Sequence, residues 1–583
     1  MNYPQLNAPE QSMLVTQSFP GYDHNLRGRE GAMYHMQNLS GRHYPLLSTR
    51  KPRLTVREMA DPGGLIAKDA LYWVDDGVFY ANGLPVAGFH LEKGEKQLIS
   101  MGAYIVIWPD RQYINTQDLT DFGAIDHTFT TQGDVTLTLC KQDGEAYDLE
   151  EATLAASAPE NPQNGQLWVD TAQEAHILNQ YAEATGEWVQ IPTVYLRMEA
   201  PGIGQGFAAF DGVTVSGLSY TGDSPGLQAQ VEALNGDTIL QGAGEDYVVF
   251  TGLLDQVLTL VGVTLKRQAP AMDYLCESGN RLWGCRYGME DGKPINEIYA
   301  SKLGDFKNWK CFMGLSTDSY AVSLGTDGVF TGAVSYQGYP VFFKEGCLHR
   351  IYGSQPSAYQ LQTLLCQGVA RDSAKSLCQV GGALYYKSRS AVMAYDGSLP
   401  QIISQPLGEA RYQAGVGGSL GALYYLSLLD ESGEPHLFVY DPAKSLWSRE
   451  DCERPISFAQ LDDRLYWLTA AALKQQDGGE ETMPWQAVTA AMGYDYPQQK
   501  YLSRWLIRAA AAQGEVIQLA LQYDSSGVWE PAGQIIGQGM ARSFLVPVIP
   551  RRCDHLQLRL MGQGEFKLFS LTRVLEKGGD PVC

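Results

Sequence analysis

A leucine or similar apolar residue followed by one or two aromatics, set just after a turn, returns at nearly constant intervals along this 583-residue chain. It is read as Val341-Phe342-Phe343, Leu384-Tyr385-Tyr386, Leu423-Tyr424-Tyr425 and Leu465-Tyr466-Trp467, so the first positions recur at roughly 40-residue intervals. Earlier copies are Leu71-Tyr72-Trp73, Tyr104-Ile105-Val106 and Leu282-Trp283. A period of roughly 40–50 residues is that of a four-stranded propeller blade. Within the units a second aromatic strand runs into Tyr395-Asp396-Gly397 or Tyr440-Asp441-Pro442. Glycine accepts positive φ and aspartate bonds its own backbone, so these are tight turns. Units this small cannot bury their own faces, and radial stacking around an axis buries both. An all-β propeller of about seven blades is therefore expected.

The pitch breaks once. The stretch from Tyr104 to Leu282 is far longer than one further unit needs. A β-rich domain inserted at 131–266 fills the gap, opening on the alternation Val135-Thr136-Leu137-Thr138-Leu139. The propeller then occupies 58–130 and 267–490. From 491 to 583 the chain changes to alternating strands such as Val516-Ile517-Gln518-Leu519-Ala520-Leu521, the pattern of an antiparallel β-sandwich. The segment 170–182 is the one place where an amphipathic helix of more than a couple of turns is expected.

Charge separates the segment 1–57 from the rest. It carries seven bases and three acids, whereas the whole chain has a net charge of −22. The segment reads as a basic, extended N-terminal arm in front of an acidic body. Arg27, Arg29, Arg42, Arg50 and Arg53 are its candidate subunit or partner contacts, against the plainer reading in which the arm pairs with its own acidic domain. An acidic chain is a poor nonspecific nucleic-acid binder. The opening residues lack the pattern of a secretory leader, and no apolar run is long enough to span a membrane.

Chemistry-bearing motifs are sparse. There is no Walker loop, no His-Glu-x-x-His and no Cys-x-x-Cys among the ten cysteines. Those cysteines read as reduced and mostly buried. Asp327-Gly328 and Asp396-Gly397 sit where turns want aspartate, and the sialidase aspartate box is not reproduced. No catalytic residue, metal ligand or cofactor is expected, and the chain is expected not to be an enzyme. Trp168 and Trp188 stand apart because they lie in the insertion among Gly and Pro. They are candidates for glycan stacking, beside the plainer role of a small domain's core.

Several strings carry a resemblance. Gly21-Tyr22-Asp23-His24-Asn25, Met36-Gln37-Asn38-Leu39-Ser40, Asn296-Glu297-Ile298-Tyr299-Ala300 and Pro550-Arg551-Arg552-Cys553-Asp554-His555 resemble structural proteins of tailed bacteriophages and of prophages in gut Firmicutes. Asn161-Pro162-Gln163-Asn164-Gly165-Gln166-Leu167-Trp168-Val169-Asp170, followed by Tyr181 and Trp188, resembles a short module of phage tail and fibre proteins. The resemblance implies a virion protein of neck or tail, similar to the propeller hub or nozzle proteins of short-tailed phages and made in the bacterial host cytoplasm. It implies a ring of identical subunits, six being one count, that touches portal or adaptor and distal tail proteins. Genomic double-stranded DNA would pass through without sequence-specific binding. The alternatives are a carbohydrate- or receptor-binding propeller of the tail and a propeller glycoside hydrolase.

Overall fold

The computed structural model describes residues 11–147, 152–172, 176–290, 292–494 and 499–577. It is all-β: among the described residues the one α-helix is Pro225–Ala233, beside three single-turn 3-10 segments. Seven four-stranded antiparallel sheets follow one another at 62–90, 97–124, 274–323, 330–365, 378–402, 413–451 and 457–478, the last completed by Arg53–Glu58. Two-residue turns close several hairpins. Asp76-Gly77 joins Leu71–Asp75 to Val78–Ala81 at φ +51° and +75°, and Gln337-Gly338 joins Phe330–Tyr336 to Tyr339–Lys344 at φ +52° and +78°. Two positive φ angles in succession match the right-handed twist of the flanking strands.

The aromatic repeat has a simple meaning. Successive residues on a strand point to opposite faces, so two adjacent aromatics serve two different neighbours. Tyr386 packs back against Tyr336 and Phe343 of the fourth sheet, while Tyr385 packs forward against Tyr424 of the sixth. Tyr424 faces the fifth sheet and Tyr425 faces Trp467 of the seventh. Elsewhere Tyr72 and Phe79 meet Ile105 and Ile107, Trp108 meets Met272, and Trp283 meets Phe330 and Phe342. Leu468 and Leu473 of the seventh sheet pack on Leu71 and Trp73 of the first. Every sheet thus has two neighbours and the order is cyclic.

The N-terminal segment is extended, and its strands are paired into sheets of its own chain, as the plainer reading of the segment has it. Gln11–Thr16 pairs with the C-terminal strand Phe566–Lys577, Met33–Gln37 pairs with Pro484–Thr489, and Leu47–Thr49 pairs with Phe566–Lys577. Arg53–Glu58 pairs with Ala472–Gly478 and supplies the last strand of the seventh sheet. The backbone bonds of an extended segment must go somewhere, and here they complete sheets built from the other end of the chain. The C-terminal residues build two further sheets with these strands. Their facing sides share one apolar core with the fifth and sixth sheets, running from Trp505, Leu558 and Leu571 to Tyr385 and Phe438.

Between the second and third sheets the chain forms an eight-stranded sheet from His127 to Arg267 and a small four-stranded sheet at 153–190. Their core, which includes Val135, Leu196, Val213, Phe250 and Leu265, contains insertion residues only. The helix expected at 170–182 is not formed: Leu167–Asp170 and Ile177–Ala182 are paired strands, with residues 173–175 outside the described set. Alternation of Leu178 and Val169 into the core outweighs helical spacing there. No disulfide is formed among the described cysteines; Cys452 is exposed, and Cys583 lies outside the described residues.

Candidate functional site

The small sheet of the insertion presents one face to the core and one away from it. Val169 and Leu178 are opposite each other and buried, so the intervening Trp168 and Asn179 turn to the other face. On the next strand pair Tyr181 lies opposite Trp188, and Asn179 opposite Gln190. Three rings gather there as a result. Trp168 and Trp188 meet edge to face with centroids 5.5 Å apart, and Tyr181 lies 5.4 Å from Trp188. All three are half-buried. The Trp168 indole N–H donates to the Ala155 carbonyl at 2.9 Å, which fixes that ring's orientation. The two tryptophans singled out in the sequence are thus in contact, and Tyr181 joins them. Asn179 is buried and donates to the Ile177 carbonyl at 3.3 Å, so the face offers the three rings beside the exposed Gln190 amide, a combination that stacks on sugar C–H surfaces and satisfies hydroxyls.

A polar groove of about 580 Å³ opens beside this sheet, lined by Asn161, Gln163, Asn164, Gln166 and Gln180 among others. Much of its hydrogen-bonding capacity is engaged locally. Gln166 accepts from the Gln163 backbone N–H at 3.0 Å and donates to Thr153 at 3.4 Å, while Asn164 accepts from the Glu183 N–H at 3.0 Å. The Asn-Pro-Gln-Asn-Gly string is therefore a scaffold for the aromatic face.

The arginines sit elsewhere. The Arg53 guanidinium is 7% exposed and bonds Glu450 at 2.7 Å, Glu453 at 2.6 Å and Asp451, with Trp467 beneath it at 4.9 Å. Arg50 pairs with Asp451 at 3.0 Å and Arg42 with Asp477 at 2.9 Å. These three follow the plainer reading, in which the arm pairs with its own acidic domain, rather than the one that makes them subunit contacts: the buried Arg50 and Arg53 take their anions from their own protomer, and the one-third exposed Arg42 does the same. Arg27 and Arg29 remain exposed, Arg27 lying 5.6 Å over the Tyr494 ring.

One end of the ring holds a charged cleft of about 1070 Å³ between the fourth, fifth and sixth sheets, lined by Glu345, Arg371, Asp372, Lys387, Glu409 and neighbours. Asp372 accepts from Ser373 Oγ at 2.9 Å and from the Ala414 N–H at 2.8 Å, and Glu345 pairs with Arg371 at 3.4 Å. Lys387 is buried on the floor, and desolvation pulls its ammonium down to about 8. Sequence reading passed over this cleft because its residues come from separate loops. The string Gly417-Gly418-Ser419-Leu420-Gly421 has nucleophile-elbow spacing, but it runs from the strand Gln413–Leu420 into a hairpin and not into a helix. No group of three His, Cys, Asp or Glu suited to a metal ion occurs among the described residues.

No protein family and no curated protein matches this chain. Solved structures similar to it include an exo-β-1,3-galactanase from Phanerochaete chrysosporium with galactose, at 9% identity over 51% of this chain and 94% of that one, TM-score 0.21. Another is a glycoside hydrolase family 43 arabinoxylan arabinofuranohydrolase from Bacillus subtilis, at 8% identity over 68% and 92%, TM-score 0.15. A third is the extracellular domain of the hybrid two-component system BT4673 from B. thetaiotaomicron, at 9% identity over 88% and 89%, TM-score 0.20. Likenesses of this size carry no argument for a particular activity. Glycoside hydrolases stand among these structures, so the expectation that the chain is not an enzyme is corrected to one that leaves activity open.

Proposed function

We propose that the chain is a carbohydrate- or receptor-binding β-propeller protein of a bacteriophage tail. In this reading the seven four-stranded sheets are blades, the two C-terminal sheets are a β-sandwich, and the insertion carries the recognition face. What supports it is the cluster of Trp168, Tyr181 and Trp188 beside the exposed Gln190, on the face turned away from the core. The domain's apolar core lies on the other side of the sheet, and the three rings keep part of their surface in solvent. The test is a glycan array with the whole protein, followed by calorimetric titration of the strongest ligands. Trp168→Ala and Trp188→Ala are each expected to weaken binding about tenfold or more. A wild-type protein that recognises nothing on a broad array rejects the reading. Release of reducing ends from the same glycans, in wild type and in Asp372→Asn, reports hydrolysis at the charged cleft.

The ring-forming neck or tail reading is favoured by a separate observation. Ile536, Met540, Leu545 and Ile549 are 51%, 57%, 58% and 88% exposed around the C-terminal sheets. A subunit that closes a ring needs such uncovered apolar contacts on its flanks. Sedimentation of the protein alone and with portal or adaptor protein separates a ring component from a monomeric binder.

A further inference from the structure

We propose that the outer face of the C-terminal five-stranded sheet is a second binding site, independent of the insertion, for an uncharged, hydroxyl-rich polymer of the neutral polysaccharide class. The sheet runs Met33–Gln37, Pro484–Thr489, Leu556–Gln563, Val516–Tyr523 and Glu530–Ile536. Met36, Ala487, Leu560, Leu519 and Ile535 are buried on its inner side. Period-two alternation then turns the intervening residues outward. The register aligns five of them in one line: Gln37 opposite Gln486, Gln486 opposite Met561, Met561 opposite Gln518, and Gln518 opposite Gln534.

Strands about 4.8 Å apart make this line about 19 Å long. It carries four primary amides and one methionine, and no charge. Each amide supplies two donors and an acceptor. None of the four glutamine side chains bonds another described residue, unlike the amides of the insertion groove. The line lies in a trough of about 470 Å³ that Gln37, Gln486, Met561 and Gln518 floor and Glu515 walls. Glu515 is the one ionisable group in the lining and no cation accompanies it. On a chain of net charge −22 such a trough repels nucleic acids and acidic polymers. Its one aromatic, Trp485, is buried, and the nearest outward arginine, Arg559, two residues from Met561, lies over the Trp529 ring at 4.6 Å outside the lining, so the trough itself lacks the exposed aromatic or arginine anchor that dominates protein interfaces. What remains complementary is a chain of hydroxyls, each able to donate to an amide oxygen and accept from an amide nitrogen.

The experiment is native affinity electrophoresis of the whole protein in gels containing mannan, β-glucan or dextran, with polygalacturonate as the anionic control. Three proteins are compared: wild type, Gln486→Ala/Gln518→Ala, and Trp168→Ala/Trp188→Ala. Retardation of wild type by a neutral polymer is expected, with about tenfold weaker binding in the glutamine variant at an unchanged melting temperature and full retention in the tryptophan variant. Retention lost in the tryptophan variant alone assigns glycan binding to the insertion and overturns this proposal without touching the first. Equal retardation by polygalacturonate also overturns it, as does a wild type that no neutral polymer slows. A concentration-dependent dimer abolished by the glutamine substitutions makes the face a contact between copies and overturns it too.

Discussion

The insertion and the ring of seven sheets are held together in different ways. The insertion's core is drawn from residues 135–265 alone, and its links to the ring are polar, such as the Asn308 amide bonding Asp211 and the Gly212 N–H at 2.8 Å each. The ring closes only when Arg53–Glu58 reaches the strand Ala472–Gly478, and that seam buries Arg53 among Glu450, Asp451 and Glu453. The C-terminal sheets behave like the ring, since one apolar cluster runs through both. A local apolar core makes a unit that unfolds by itself, whereas a seam of buried charges ties distant segments into one cooperative body.

The sharpest way to break this contrast is Arg53→Ala. It removes the cation that three carboxylates share, leaving Asp451 to Arg50 and Glu453 to Lys474 while Glu450 loses its buried partner, and should cost the ring about 3 kcal/mol. Denaturant titration followed by tryptophan fluorescence should then show the ring transition moving and the insertion transition fixed. A cost below about 1 kcal/mol, as for a surface ion pair, refutes the seam.

Acid separates the two bodies next. Burial, reinforced by Lys344, holds the His349 imidazole down to about 4, and burial with Arg449 nearby does the same to His35. In the unfolded chain a histidine titrates near 6.5. Between those values the unfolded chain binds the protons and the folded one does not. The stability from the neutral rings is therefore complete above about pH 6.5 and falls as pH drops toward 4. The loss is on the order of 3 kcal/mol per ring by pH 4. Both histidines lie outside the insertion, so its midpoint should move less, and His349→Asn should flatten the ring's pH dependence.

Smaller effects test the insertion. Trp188→Ala removes two ring contacts and should lower the insertion transition by about 1–2 kcal/mol while leaving the ring untouched. Ser224 caps the helix Pro225–Ala233 by accepting from the Leu227 N–H at 3.4 Å. Ser224→Ala should cost about 0.5–1 kcal/mol, again in the insertion transition alone. A shift of the ring transition by either change shows that the two bodies unfold together.

Legibility in the sequence followed the range of the interactions. Tyr385-Tyr386 and Tyr424-Tyr425 announce themselves because adjacent side chains on one strand fix which two neighbours they meet. Trp168 and Trp188 were visible because the strands that join them are close in sequence. The seam was not, because an arginine looks the same whether it faces solvent or three acids from a distant part of the chain. The charged cleft stayed hidden for a related reason: Glu345, Asp372, Lys387 and Glu409 meet through three different sheets.

By itself the sequence determined the repeating strand units, the place where they are interrupted and the change of character near the C-terminus, since these rest on periodicity over short stretches of chain. Tertiary structure decided which segment closes the ring, which arginines lose their freedom, and that Gln37, Gln486, Gln518 and Gln534 fall into line. Strand register across five separated segments has no local signature. A polar residue on an outward position reads as ordinary surface until its neighbours arrive.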